Sequence, residues 1–95
     1  MVKYMRYIIV YDITDDNLRT LTAETLKDYG LKRIQKSAFM GNLKKHILNS
    51  LLADLRRMVT VDSVLVFPLC DADFRNMVSV GVEFVEEEKK DVEFF

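Results

Sequence analysis

Two short runs of consecutive apolar residues constrain what this chain can fold into. Residues 7–11 read YIIVY and stop at Asp12, and residues 64–67 read VLVF before Pro68. β-Branched and aromatic residues bounded by polar ones are typical of strands. Because successive side chains point to opposite faces, such strands need cover on both faces. With 95 residues the chain has room for one hydrophobic core, so we expect a single domain over residues 1–95.

Two further segments have the spacing of amphipathic helices. Thr14, Asp15 and Asp16 follow the first strand and suit the N-terminus of a helix that Gly30 would close. A second helix is predicted from about residue 43 to residue 59. Its apolar positions repeat at helical spacing: Leu48, Leu51, Leu52, Leu55 and Val59. Each helix therefore has one apolar stripe to bury.

The segments between and after the helices are less regular. Residues 31–43 alternate imperfectly, and Gly41 predicts a bulge or bend that leaves either one kinked strand or two short ones. Pro68 is expected to end the strand at residues 64–67, because proline cannot donate to a ladder. Asp71 is expected to cap a short helix that follows.

The order of these elements predicts an α+β fold. Strand, helix and strand followed by helix and strand is the ferredoxin-like split βαβ sandwich, an antiparallel sheet with two helices on one face. Residues 7–11 and 64–67 are nevertheless apolar on both faces. We therefore expect two sheets to stack in a homodimer. Residues 86–95, an acidic linker and a terminal β segment, are expected to join the partner's sheet.

Composition favours a cytoplasmic protein. Cys70 is the one cysteine, which excludes an internal disulfide framework, and no apolar run approaches the ~20 residues that span a membrane. Residues 1–60 carry 11 Lys and Arg against 6 Asp and Glu, whereas residues 61–95 carry 3 against 9. Such an asymmetry can steer a polyanion towards one surface, so a nucleic acid is a reasonable partner.

Several common classes of enzyme site are excluded by the residues present. His46 is the one histidine, and neither it nor Cys70 has the partners that a metal cluster or a catalytic triad requires. No Gly-rich phosphate loop is present in the sequence.

Asp12 is the sharpest candidate for chemistry, because it is the first charge after five apolar residues. One interpretation is structural: an acid that ends a strand and helps to start a helix. The other is a metal ligand. Mg²⁺ typically takes one or two carboxylates and keeps several waters, so two Asp12 side chains at a dimer axis could hold one ion. That ion could activate a water against a phosphodiester.

Basic residues in the first half of the chain are candidates for phosphate contacts. Any one of them is explained as part of a solvated surface, but together they would neutralise phosphates with little sequence preference. These residues are Arg19, Lys32, Arg33, Lys36, Lys44 and Lys45. Tyr11 and Phe39 could stack on bases, although packing in the core or at a dimer interface explains both.

One stretch of the sequence resembles a specific protein family. It consists of residues 11–19 (YDITDDNLR), residues 29–31 (YGL), residues 33–39 (RIQKSAF) and Gly41, and residues 62–69 (DSVLVFPL) extend it. This arrangement is similar to the small CRISPR-associated endoribonuclease family, the non-integrase subunit of the spacer-acquisition complex. The match covers roughly residues 5–70, in order and with the right gaps.

The resemblance implies a ferredoxin-like homodimer with Asp12 as the Mg²⁺ ligand. It also implies that Arg19, Arg33 and Phe39 bind nucleic acid or complete the active site, with Tyr11 and Ser37 as supporting neighbours. The expected function is that of a CRISPR adaptation protein that binds nucleic acid, partners the spacer integrase and has Mg²⁺-dependent endonuclease activity.

Two alternatives stay open at this point. The first keeps the fold and removes catalysis, which leaves a DNA-binding scaffold of the integration complex. Each chain offers one candidate carboxylate and no obvious general base, which is fewer groups than hydrolysis usually requires. The second is a ligand-sensing regulatory dimer, because ferredoxin-like folds serve many functions.

Overall fold

The computed structural model describes residues 3–81, which form one antiparallel sheet with helices. Within that range the elements are β1 (Tyr4–Asp12), α1 (Asp16–Asp28), β2 (Lys32–Gln35), β3 (Ala38–Lys44), α2 (Lys45–Met58), β4 (Ser63–Leu69) and α3 (Asp71–Arg75). The predicted linker and terminal β segment at residues 86–95 lie outside the described residues.

The four strands of the described region follow the order β2-β3-β1-β4, and every neighbouring pair is antiparallel. β1 is therefore central, with β3 on one side and β4 on the other. The two crossovers that pass through α1 and α2 complete the split βαβ arrangement. The predicted α+β, ferredoxin-like fold is confirmed.

The hydrophobic core lies between the sheet and the helices α1 and α2. Ile9 and Phe39 on the sheet, with Leu26 on α1 and Leu51 on α2, are fully buried in one cluster. From Tyr7 onwards the residues of β1 on this face are buried, and those on the other face are more exposed. Both long helices therefore cover the same face, as predicted.

The two ends of α1 follow the capping chemistry that the sequence predicts. The Asp15 carboxylate accepts a hydrogen bond from the backbone N–H of Leu18 at 2.8 Å. At the other end Gly30 has φ +91°, a backbone conformation that glycine tolerates. The N–H of Gly30 donates to the carbonyl of Lys27, and that of Leu31 donates to Leu26. These two bonds form a Schellman cap.

The prediction for Gly41 was wrong in its cause. The chain does form two strands, but they separate at Lys36 and Ser37, and the bulge lies between Arg33 and Gln35. Gly41 lies inside β3, where a Cβ atom would approach the Cδ2 atom of Leu31 to 2.6 Å. The glycine therefore admits a buried leucine rather than bending the strand.

Two predictions at the end of the sheet also need correction. Pro68 does not end the strand but lies within β4, paired with Tyr7. β4 is an edge strand of the described sheet, and there a proline nitrogen can face away from the ladder. The cap of α3 is Cys70 rather than Asp71, because the sulfur of Cys70 accepts from the N–H of Asp73 at 3.5 Å.

The face of the sheet opposite α1 and α2 is apolar and partly exposed. Val10 pairs with Leu65, and Ile8 pairs with Phe67. Val10 is 37% exposed, Leu65 53% and Phe67 49%. Isolated exposed apolar residues are common, but neighbours on one sheet face form a patch of the kind that binds another surface. Stacking of two sheets through this face stays a prediction.

α3 lies at one end of this face. The Arg6 guanidinium donates to the Asp71 carboxylate at 3.1 Å, and the Cζ atom of Arg6 lies 3.8 Å from the centroid of the Phe74 ring.

No helix in the described part of the chain is long and apolar enough to cross a membrane.

Candidate active site and nucleic-acid interface

Asp12 is the last residue of β1, and its side chain is exposed. It pairs with Ser63 of β4. Alternation along the strand places Asp12 on the same face as Ile8 and Val10, away from the helices. The carboxylate therefore borders the apolar sheet face rather than the helix-covered core.

Arg19 secures the loop that follows Asp12. Its Nη1 atom donates to the carbonyl oxygen of Ile13 at 3.0 Å and to that of Thr14 at 3.3 Å. Its Nη2 atom forms an ion pair with Asp16. Two carbonyls of the β1–α1 connection and the first residue of α1 thus hold the guanidinium, so Arg19 acts on the geometry of this loop as well as offering positive charge.

Tyr11 and Phe39 belong to the core. Tyr11 is 3% exposed and Phe39 is fully buried, with ring centroids 6.2 Å apart and an angle of 27° between the planes. The backbone N–H of Tyr11 donates to the carbonyl of Ser37 at 2.9 Å. Both rings are therefore packed in the core and are not exposed for stacking on a base.

Arg33 is the exposed member of this group. Its guanidinium carbon lies 5.1 Å from the centroid of the Phe39 ring. A cation over an aromatic face is attracted by the ring quadrupole, which fixes the position of the charge. The exposed Arg33 guanidinium therefore lies over the buried Phe39 ring.

An open cleft of about 820 Å³ lies between α1 and the β2–β3 turn. It brings together four of the predicted site residues, Tyr11, Arg19, Arg33 and Ser37, together with Lys36. Asp12 is not among the lining residues, because it belongs to the opposite face of the sheet. The predicted residues therefore form two surfaces, one on each side of the sheet.

Two charged residues of the cleft were not among the candidates from the sequence. Lys27 and Glu24 line the cleft from α1. Arg19, Ala23 and Lys27 are each four residues apart, a spacing that places side chains on one face of a helix. That spacing was a signal in the sequence for Lys27. Nothing in the sequence indicated that the same face would lie opposite the β2–β3 turn.

One chain supplies a single carboxylate at the end of β1. Among residues 3–81 no group of three or more His, Cys, Asp or Glu side chains could hold a metal ion.

The groups whose pKa values are clearly shifted lie away from Asp12. The Tyr29 hydroxyl donates a hydrogen bond to the Asp54 carboxylate at 2.6 Å. That bond raises the pKa of Tyr29 and lowers the pKa of Asp54, and it joins α1 to α2.

Comparison with known proteins defines first a class of small α+β domain. A hypothetical protein from Thermus thermophilus of known crystal structure has a TM-score of 0.74 and 30% identity, covering 84% of this chain and 94% of its own. A crystal structure of Cas2 has a TM-score of 0.70 and 31% identity, covering 88% and 100%. Both share the ferredoxin-like arrangement.

The family follows from the sequence comparisons. The family model described as CRISPR associated protein Cas2 matches residues 5–77. A CRISPR-associated endoribonuclease Cas2 of Korarchaeum cryptofilum is 44% identical over 79 residues, 81% of this chain and 85% of that protein. One from Archaeoglobus fulgidus is 36% identical over 95% of this chain and 99% of its own. The chain belongs to the CRISPR-associated Cas2 family, and the resemblance seen in the sequence is confirmed.

A further relative joins two activities in one polypeptide. A protein of Thermoproteus tenax named as a fusion of endonuclease Cas1 and endonuclease Cas2 is 43% identical over 56 residues. The match covers 59% of this chain and 21% of the fusion.

Proposed function

We propose that this protein is a metal-dependent endoribonuclease of CRISPR adaptation that works as a homodimer, with Asp12 of each copy at the active site. The observation that carries the proposal is the position of Asp12, an exposed carboxylate at the end of a central strand and at the border of an apolar sheet face. The names of the relatives, CRISPR-associated endoribonucleases, support the reaction class.

Dimerisation through the sheet face would bring two carboxylates together. In a twofold interface the same patch is used on both copies, so residues near the axis meet their own counterparts. The exposed apolar area of that patch comes from Val10, Leu65 and Phe67. Asp12 lies two residues after Val10, on the same face of β1. A second copy would then complete a site to which one chain contributes one carboxylate.

The donor set fits Mg²⁺. This ion is typically held by one or two carboxylates and retains several waters, and an exposed Asp12 leaves room for those waters. Bound there, Mg²⁺ would supply a water of lowered pKa and neutralise charge that develops on a phosphate. The chain's own contribution is positional: Arg19 fixes the loop after Asp12, and Arg33 offers an exposed cation for the nucleic-acid backbone.

A spacer integrase is the proposed protein partner. The fusion from Thermoproteus tenax links a Cas1 endonuclease to a Cas2 endonuclease in one chain, and fused relatives commonly reflect proteins that act together. Contacts to nucleic acid would be mostly to phosphates, because the candidate residues are cations rather than groups that pair with base edges.

The decisive experiment compares cleavage of labelled single-stranded RNA and duplex DNA by the wild type, Asp12→Asn and Asp28→Asn, with and without a chelator. Asp28 is an exposed acid at the end of α1 and serves as a control for loss of one negative charge. We expect Asp12→Asn to lose at least ~100-fold in rate, on the order of one catalytic group, and Asp28→Asn to cleave normally. Equal cleavage by all three, or cleavage that persists in chelator, would refute the assignment.

A non-catalytic scaffold is the second candidate, and the single carboxylate per chain favours it. A scaffold requires a rigid dimer with a basic surface, and Asp12→Asn would then bind duplex DNA as the wild type does. Absence of metal-dependent cleavage in the wild type, together with intact duplex binding by both proteins, would identify this alternative.

A further inference from the structure

We infer that the cleft between α1 and the β2–β3 turn binds the phosphate backbone of a single RNA strand, on the side of the sheet opposite Asp12. The inference rests on the proposed function for the choice of RNA as ligand. It adds a binding site on a different surface from the proposed active site, and it assigns roles to Lys27, Lys36 and Glu24.

The charges of the cleft are its first argument. Four cationic side chains line it, Arg19, Lys27, Arg33 and Lys36, against the single acid Glu24. In the part of the chain that the structure describes, Lys27, Arg33 and Lys36 form no ion pair. Cations that are not neutralised within the protein are available to release counterions from a polyanion, which drives nucleic-acid binding.

The lining between these cations is the second argument. Ile34, which is partly exposed, contributes apolar surface next to the buried Ala23. Single-stranded nucleic acids are bound in grooves that combine positive charge with surfaces on which bases rest. The guanidinium of Arg33, held over the Phe39 ring, offers such a surface, because arginine planes stack on unpaired bases. A volume of about 820 Å³ lies within the range of sites for small organic groups such as nucleotides.

An acidic peptide would also be attracted by the positive charge, but it would not use the apolar wall and the stacked arginine in the same way. The combination favours a nucleic-acid strand. Glu24 distinguishes this site from a simple cationic surface, since its carboxylate lies among the cations and would repel a phosphate.

The test measures binding without cleavage. Fluorescence anisotropy of a labelled 20-nucleotide RNA is recorded in the Asp12→Asn background over a series of salt concentrations, without divalent metal. One variant adds Lys27→Gln and Lys36→Gln. Its matched control adds Arg56→Gln and Arg75→Gln, which removes the same charge from exposed residues outside the cleft.

We expect the cleft variant to bind about tenfold more weakly at moderate salt, and the slope of log K against log salt to become shallower by about 1.4, at about 0.7 per phosphate. The control should change neither value substantially. Glu24→Gln is expected to bind more tightly than its parent, which loss of folding cannot imitate.

Two outcomes would overturn the inference: equal effects of the cleft variant and the control, or unchanged binding in the cleft variant. Because binding is measured without metal and with Asp12 replaced, the result is independent of cleavage. The cleft can therefore fail while the nuclease assignment stands, and the nuclease assignment can fail while the cleft is upheld.

Discussion

At the scale of one residue, Arg19 holds the loop that follows the candidate ligand Asp12. Its two hydrogen bonds to the carbonyls of Ile13 and Thr14 hold the loop directly after Asp12. Replacement by alanine removes both bonds and leaves those carbonyls to water. By comparison, the ion pair with Asp16 is on the surface, and such pairs contribute ~0–1 kcal/mol.

We therefore predict that Arg19→Ala lowers the free energy of unfolding by about 1–2 kcal/mol, at about 1 kcal/mol per hydrogen bond. Cleavage should fall by more than this loss explains, about tenfold or more with the protein still folded, because small displacements of a reacting group are costly. Urea unfolding and single-turnover cleavage measure the two effects. Asp16→Asn is the control, with little change in either, and an equally large effect of that variant would contradict the role given to the loop contacts.

Gly41 gives the second prediction at this scale. Alanine there would place its Cβ 2.6 Å from the Cδ2 atom and 3.3 Å from the Cα atom of Leu31, a residue only 2% exposed. Since Leu31 cannot move outwards without losing its buried position, we expect Gly41→Ala to destabilise the fold by about 1–3 kcal/mol. Chemical denaturation provides the value, and the combined variant Gly41→Ala with Leu31→Ala should lose less than the sum of its parts. Strict additivity would argue against this contact as the cause.

Among the elements, α1 and α2 are joined by the hydrogen bond from Tyr29 to Asp54. The bond lowers the pKa of Asp54 from its ordinary value of 3.8, so its stabilisation is present above that pH and is lost as the pH falls through the folded pKa. It raises the pKa of Tyr29 above 10.0, so this contribution is present below pH 10 and is lost as the pH rises through the folded pKa.

Tyr29→Phe should therefore reduce stability at neutral pH and flatten the dependence of stability on pH at both ends. Urea unfolding of both proteins between about pH 3 and pH 7 tests the acid limb, where the pKa of a free carboxyl lies. The two curves should converge as the pH falls through the folded pKa of Asp54. A constant difference at every pH would mean that the tyrosine contributes by packing and not through its hydroxyl.

A feature of a helix or strand could be predicted from the sequence where residues close to it in the chain determine it. The cap at Asp15 and the turn at Gly30 depend on a few neighbouring residues, and both were predicted. Gly41 is needed because Leu31 packs against it, and Pro68 fits within a strand because β4 lies at the edge of the described sheet. Those are tertiary facts, which explains why the sequence alone assigned both residues the wrong structural effect.

The same distinction applies to the candidate site residues. Asp12 could be proposed from the sequence because its position at the end of one strand is a local feature. The cleft could not, because it requires α1 to lie opposite the β2–β3 turn, and the pairing of Arg33 with Phe39 becomes visible only when the strands are in register. Burial of Phe39 agrees with the core packing that the sequence also allowed for it, and the ring lies under the Arg33 guanidinium.

At the scale of the whole molecule, the exposed apolar face and Asp12 make one linked prediction. A charge placed at Phe67 would have to be buried without a partner when two sheets stack, which costs several kcal/mol. We expect Phe67→Asp to be monomeric in sedimentation experiments at micromolar concentration, while the wild type is dimeric. Because Phe67 is already 49% exposed in the single chain, the substitution should leave the monomer folded.

The same variant should lose metal-dependent cleavage, because two Asp12 carboxylates can meet only in the dimer. Val61→Asp adds the same charge at a residue that is 89% exposed and outside the strands, so it serves as the control and should remain dimeric and active. A monomeric wild type would contradict the stacked sheets. A monomeric Phe67→Asp protein that still cleaves at the wild-type rate would show that one carboxylate is sufficient, and the paired site would have to be abandoned.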